Sequence, residues 1–303
     1  MLKQAENRVK IEGTLAEINL EPKTFQKNGR EVEAFGGDIT VKVVQKISGV
    51  EKELMVPVYM FAAKFTNAGK PNPAYESIKT IHDTFKSIAA TGNEEEADRI
   101  RITNANIRMN EYFAQDGHLI SFPRIHASFA SKIGKDVCKP EATFTTVFAV
   151  GNAMDEIKND EPTGRYEIKA LLPQYGGKID VVPMYAESEG VISAVSTYWS
   201  VGDTVKANGR LDFSSTTETV YEEVDFGEPV ERTRTINKSD LIITGGSQEP
   251  LEGDFAYAKA DLDEALKERM ARLEENKNRD MSRAASKVAP VQKSQSEFND
   301  LGF

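Results

Sequence analysis

A single cysteine, Cys138, occurs in 303 residues. It can form no internal disulfide and no cysteine-based zinc site, and such scarcity fits a reducing, cytoplasmic setting. Histidine is almost as rare. His82, His118 and His126 are the only three, and none stands at metal-ligand spacing from a second ligand. No apolar run reaches the ~18–20 residues needed to cross a bilayer. The opening Met1-Leu2-Lys3-Gln4-Ala5-Glu6 has no apolar core of the kind a secretory signal carries. The expectation is a cytoplasmic protein (host cytoplasm if phage-encoded), with no membrane partner, no metal and no cofactor. Neither a Gly-x-Ser-x-Gly elbow nor a Gly-x4-Gly-Lys-Ser/Thr loop is present, which removes two common signatures of catalysis. Positive charge is in deficit too. The 38 Lys and Arg face 48 Asp and Glu, for a formal net charge of −10. That speaks against a histone-like binder gripping through bulk charge. A local basic stripe still suffices for phosphate contacts.

The chain reads as mainly β with short helices. Arg8 to Leu15, Asp38 to Val43 and Glu53 to Phe61 alternate with the period of strands. In the last of these, Leu54, Val56 and Val58 share one face, and Met55, Tyr59 and Phe61 the other. Tyr75, Ile78, Ile81 and Phe85 then recur at helical spacing, Arg99 to Ile102 alternates again, and Ile107 to Ile125 reads as a hairpin turning at Asp116-Gly117. Three strands, a helix and two strands is the order of a five-stranded Greek-key barrel of the OB type, here over 1–134. Residues 135–249 repeat the plan. Thr143 to Val150, Arg165 to Leu172 and Lys178 to Tyr185 are strands, Glu189 to Trp199 is a helix, and Gly202 to Leu211 and Arg232 to Ile243 close the set. Asp98 to Ile107 and Gly202 to Leu211 run in parallel character after each helix, a weak internal repeat. The expected architecture is two OB-like barrels, then a helix within 250–276 with Asp254 as N-cap and Phe255, Leu262, Leu266 and Leu273 near one face. A polar tail, 277–303, follows, too poor in apolar surface to order itself. The terminal helix either pairs with a second copy, making a homo-oligomer, or packs on its own barrel.

A sequence-tolerant single-strand binder needs cations along the phosphates and flat rings under the bases. Phe25, Tyr59, Phe61, Tyr112 and Phe122 supply rings in the first half, near Lys23, Lys27, Arg30, Lys64, Arg108 and Arg124. Tyr175, Tyr185, Trp199 and Phe213 supply them in the second, near Lys178, Arg210, Arg232 and Arg234. Each has a bland alternative. A barrel aromatic is commonly core: Tyr185 shares alternation with Ile179 and Val181, and Trp199, ending a helix, is placed to plug the barrel. Lys23, Lys27 and Arg30 read as a loop between the first two strands, a ligand loop or a solvated turn. Arg232 and Arg234 share a strand face, where Glu222 or Glu223 are alternative partners.

Three stretches resemble bacterial and bacteriophage single-stranded-DNA-binding proteins. Asn7-Arg8-Val9-Lys10-Ile11-Glu12-Gly13-Thr14-Leu15 resembles that family's opening strand. Gly202-Asp203-Thr204-Val205-Lys206-Ala207-Asn208-Gly209-Arg210-Leu211 is similar to its Gly-Asp-x-Val-x-Val-x-Gly strand. The closing Asp300-Leu301-Gly302-Phe303 resembles its acidic tip ending in Ile-Pro-Phe, with Gly302 in the proline's place and a basic linker before it. The resemblance implies OB barrels, here in a tandem, phage-type arrangement, that bind and protect single-stranded DNA in replication or recombination without being an enzyme. It implies that Leu301 and Phe303 insert into a replication or recombination protein, with Asp300 on that partner's basic rim. A structural or assembly β-barrel of a virion is the rival reading, and a metal-dependent nuclease, which needs converging carboxylates, is a second.

Overall fold

The computed structural model describes residues 2–222 and 230–287. Alternation builds the first strand, β1 (Asn7–Lys27), with Val9, Ile11 and Leu15 sealed inside. The chain reverses at Asn28-Gly29, where both residues have positive φ, 51° and 72°, the backbone that a tight hairpin turn demands. It continues as β2 (Arg30–Ile47) and β3 (Val50–Ala63). Helix α1 (Pro73–Thr84) starts at Asn72, whose side chain accepts from the Ala74 amide at 3.1 Å, and buries Ile78 and Ile81. The short helix α2 (Ile88–Thr91) leads into β4 (Arg99–Phe113), β5 (Leu119–Ala127) and the small β6 (Ser131–Ile133). β1 pairs with β2, β2 with β3, β3 in parallel with β5, β5 with β4, and β4 returns to β1. The circuit is closed and five-stranded.

The second half repeats it with β7 (Glu141–Lys158), β8 (Glu161–Pro173), β9 (Ile179–Ala186), α3 (Glu189–Tyr198), β10 (Thr204–Glu222) and β11 (Val230–Gly246). β7 pairs with β8, β8 with β9, β9 in parallel with β11, β11 with β10, and β10 with β7. The circuits share a seam, because β1 also pairs antiparallel with β7, from Asn7 against Thr146 to Glu12 against Glu141. All eleven strands therefore form one sheet.

The last helix, α4 (Lys259–Lys287), lies along β4 and β9 of its own chain. Leu262 and Ala265 pack with Leu2, Ala149 and Ile179. Further along, Arg269 pairs with Glu111, and the Phe113 amide donates to Asp280 at 3.4 Å. Three expectations change here. Asp254 is not the N-cap: it lies in a 3₁₀ turn, Gly253–Phe255, with Phe255 in solvent, and the helix begins at Lys259. The helix also runs to Lys287 rather than ending near Asn276, so the start of the expected disordered tail is helical. Lys, Arg, Met and Ala, which favour helix, make up most of that stretch, and the Phe113 contact anchors it. The rest of the tail, with Asp300, Leu301 and Phe303, lies outside the described residues. Thirdly, Lys23, Lys27 and Arg30 are not in a loop. They stand on β1 and β2, whose ladder runs to Lys27 against Arg30.

The closing glycine of the stretch Gly202 to Gly209 has a structural reason. Gly209 sits at a register shift in β10, where the strand serves β7 and β11 together. A Cβ there would stand 2.3 Å from both the Ile242 carbonyl oxygen and the Phe144 ring. Gly209→Ala should therefore cost about 2–3 kcal/mol in urea unfolding. Gly190→Ala, on α3 with open space around it, should be neutral or stabilising by up to ~1 kcal/mol.

An ion cluster ties β7, β8 and β11 together. Arg165 donates to Glu156 at 2.7 and 2.8 Å and to Asp240 at 2.6 Å. These bonds, Arg165 foremost, hold the Glu156 carboxyl at about 2 against the opposing push of burial. A depressed carboxyl stabilises the fold fully above its ordinary value near 4.5 and loses that contribution as pH falls towards 2. Glu156→Gln should lower stability at pH 7 by about 3 kcal/mol. The gap from the parent protein should close between pH 4.5 and 2, read by urea midpoints across pH.

Candidate nucleic-acid interface

The register of the first barrel gathers a row of side chains from four strands on its outer face. Asp38 on β2 stands opposite Tyr59 on β3, Tyr59 opposite His126 on β5, and His126 opposite Asn106 on β4. One step along, Arg124 faces Arg108, then Phe122 faces Asn110 and Ile120 faces Tyr112. Strand alternation puts this whole series on one side, while Val58, Ile125 and Ile107 point into the core.

The row has defined chemistry. The Arg124 guanidinium lies 4.0 Å over the Tyr59 ring centre and donates to both Asp38 oxygens at 2.7 and 2.6 Å. That pairing fixes Tyr59 and leaves Arg124 compensated. His126 meets Tyr59 edge-on at 5.0 Å. Burial, and after it the charges of Arg108 and Arg124, push the imidazole down to about 4, with Asp38 opposing. His126 is thus neutral at pH 7 and offers one donor and one acceptor nitrogen. The Asn106 Oδ1 is buried without a partner, and Arg108 makes no ion pair among the described residues. Tyr59, Phe61, Asn104, Asn106, Arg108 and His126 line a cleft of about 280 Å³. Phe61 is 40% exposed at its mouth, 5.9 Å from the ring of Phe25 on the β1–β2 arm.

The arm continues the face. Phe25, Lys27, Arg30 and Phe65 border an open hollow beyond Phe61. Lys27 bonds Asn67 at 2.9 Å, Lys23 pairs with Glu21 at 3.3 Å, and Lys64 with Glu33 at 2.7 Å. Arg30 is exposed and makes no ion pair among the described residues. Tyr112 and Phe122 are exposed on the β4–β5 hairpin. This face can stack bases, meet phosphates through Arg108 and Arg30, and hydrogen-bond a base edge through Asn106 and His126.

The second barrel differs. Trp199, expected as a platform, is only 8% exposed; its indole N–H donates to the Ser247 carbonyl at 2.8 Å and its ring meets Phe148 edge-on. It plugs the barrel end, with most of its ring in the core. Phe213 is core as well. Tyr185 is not aligned with the core: Val182, Met184 and Ala186 point inward, and Tyr185 faces out. There it is covered by the Arg165 guanidinium at 4.0 Å, itself bound to Glu156 and Asp240. Arg210 is held by Glu187 at 2.5 Å. Tyr175, 77% exposed, and Lys178 lie at the β8–β9 connection and do not line the first-barrel cleft. Arg232 and Arg234 stand on β11 opposite Val220 and Glu218; their side chains lie outside the described ones.

Sequence reasoning missed Asn104, Asn106 and His126 as site residues. Their only advance signal was two asparagines at positions of strand alternation. Among the described residues no three His, Cys, Asp or Glu side chains converge to hold a metal. No helix among them is long and apolar enough to cross a membrane.

Comparison with solved structures finds a deletion variant of the single-stranded DNA binding protein from Thermus aquaticus, with a TM-score of 0.50 at 13% identity, covering 82% of this chain and 97% of that one. The wild-type Thermus aquaticus protein gives a TM-score of 0.48 at 14% identity, covering 85% and 99%. At such identity the first likeness is one of fold: a chain of this size and strand arrangement. A search of the curated proteins finds no match. The family model YorF matches residues 5–279, most of the two barrels and α4, and the chain belongs to the YorF family.

Proposed function

We propose that this chain binds single-stranded DNA on the outer face of its first barrel and catalyses no reaction. The observation that carries the reading is the cleft in which Tyr59, Phe61, Arg108 and the unpartnered Asn106 converge. Rings beside free cations are what a single strand requires. The fold shared with a protein named for single-stranded DNA binding supports it. We take 1–134 and 135–249 as the two barrel units. The first supplies the stacking face, from Phe25 and Lys27 through Tyr59 and Phe61 to Tyr112 and Phe122. In the second, the guanidinium over the equivalent tyrosine is itself held by three carboxylates, Glu156, Glu187 and Asp240. The role that fits is coating and protecting strands during phage-type replication or recombination in the cytoplasm. Recruitment of partner proteins by Asp300, Leu301 and Phe303 rests on the sequence resemblance alone.

The test is fluorescence anisotropy of labelled oligo-dT at low and moderate salt. Binding should saturate and weaken with salt. Phe61→Ala should lose about 1–3 kcal/mol, and Tyr185→Ala should change nothing. Trp199 emission should stay constant on saturation, since its ring is in the core. No binding at low salt would overturn the reading in favour of a structural barrel protein. Shortened strands with magnesium or manganese would favour a nuclease.

A further inference from the structure

The cleft on the first barrel does not end in a wall. β4 bulges between Ile102 and Ala105, where the two β1 steps from Val9 to Ile11 face three on β4. The two residues between Ile102 and Ala105, Thr103 and Asn104, are exposed. Asn104 lines the aromatic cleft. Thr103, its neighbour, lines a second hollow of about 550 Å³ that lies over the seam between the barrels. Adjacent residues of one bulge thus line the two hollows.

The second hollow is floored by the strands that join the circuits. Arg8 on β1 stands opposite Thr145 on β7, and Thr145 opposite Asn208 on β10; Lys10 stands opposite Thr143. Lys206 forms the far rim. Three cations thus line it with one carboxylate, Glu6, on a chain that is acidic overall. Lys206 is paired with Glu6 at 2.9 Å, and Lys10 is paired with Glu141 and Glu12. Arg8 is exposed and makes no ion pair among the described residues. The Thr145 hydroxyl donates to Asn208 Oδ1 at 2.8 Å, so the floor is polar and ordered. Its one aromatic residue, Phe144, is buried.

Hydroxyls and cations without an exposed ring fit phosphates and cannot stack bases. We infer that the seam groove is a phosphodiester-binding track that carries a strand out of the first-barrel cleft, over the Thr103–Asn104 bulge, towards Arg8 and Lys206. This rests on the single-strand reading given above and extends it to a site with different chemistry. The track crosses four strands, β4, β1, β7 and β10, three spacings of about 4.8 Å each. The outer face of the second barrel is a poorer exit, because the carboxylates Glu156, Glu187 and Asp240 gather there around Arg165 and would repel phosphates.

The experiment compares labelled oligo-dT of about 5 and about 30 nucleotides, near the lower end of one barrel's usual range and well beyond its upper end. Log affinity is measured against log salt for the parent protein, Arg8→Ala, Arg8→Glu, Lys206→Ala and Phe61→Ala, with urea midpoints as the check on folding. Arg8→Ala should lower the slope for the long strand by about 0.7, one phosphate contact on a single strand. Arg8→Glu should lower it at least as much, and neither should alter binding of the short strand. Lys206→Ala, at the opposite rim, gives an independent reading in the same direction. Phe61→Ala should weaken both lengths. If the Arg8 and Lys206 variants match the parent on long strands while Phe61→Ala weakens binding, the track is wrong and the cleft stands. Equal loss on short and long strands after Arg8→Glu also overturns the track. If the parent protein binds neither length, the single-strand reading falls and the track with it.

Discussion

The first strand of each barrel, β1 or β7, serves three neighbours, and the joining of the barrels depends on that constraint. A strand has only two edges. β1 meets β4 with Val9 to Thr14, β7 with Asn7 to Glu12 and β2 from Thr14 onward. β7 does the same with β10, β1 and β8. Each barrel thus leaves the early part of its first strand unpaired on one edge, and each covers the other's exposed ladder. Bare ladders invite pairing with foreign chains; here the pairing is internal. The Asn7 side chain extends the arrangement, accepting from the Ile107 amide at 2.9 Å and donating to its carbonyl at 2.8 Å in place of backbone. Gln174 donates to the same carbonyl, so a second-barrel residue is bound to β4. Leu2, Leu262 and Ala265 close the joint from the other side.

Much of this was legible in the residues and some was not, for physical reasons. Turns were readable because positive φ selects residue type: Asn28-Gly29 and Asp116-Gly117 both reverse the chain, with Gly117 at φ 82°. Helices α1 and α3 were readable because a barrel end needs an apolar plug, and Ile78, Ile81 and Val195 provide it. The length of β1 was not. Its outer half, Glu21 to Lys27, is solvated on most positions, so no apolar period marks it, and charged residues there read as loop. Only the ladder to β2 shows it to be strand. Trp199 was ambiguous because its fate depends on the Ser247 carbonyl, 48 residues away. The site was least legible. Tyr59, Asn106 and His126 become neighbours through strand register, and a register slip of one residue would send each to the other face. Alternation in β3 gave two apolar faces without saying which was outside.

The two outer faces show how an acidic chain can keep a site for anions. Arg124 lies two residues before His126, the partner of Tyr59 across β3 and β5. Asp240 lies two residues before Ile242, the partner of Tyr185 across β9 and β11. The same slot thus holds a cation in one barrel and a carboxylate in the other. In both, a guanidinium covers the tyrosine at 4.0 Å, but it comes from β5 in the first barrel and from β8 in the second. Around Tyr185 the acids Glu156, Glu187, Asp212 and Asp240 are engaged by Arg165, Arg210 and Lys238. Charges in such pairs, a few ångströms apart, largely cancel at the range of a Debye length. Around Tyr59 only Asp38 is engaged, by Arg124, and Arg108 is left over. Net charge is therefore a poor guide to where a strand would sit. What decides is where the carboxylates have partners already, and in this fold that leaves the first-barrel cleft and the seam beside it with cations to offer.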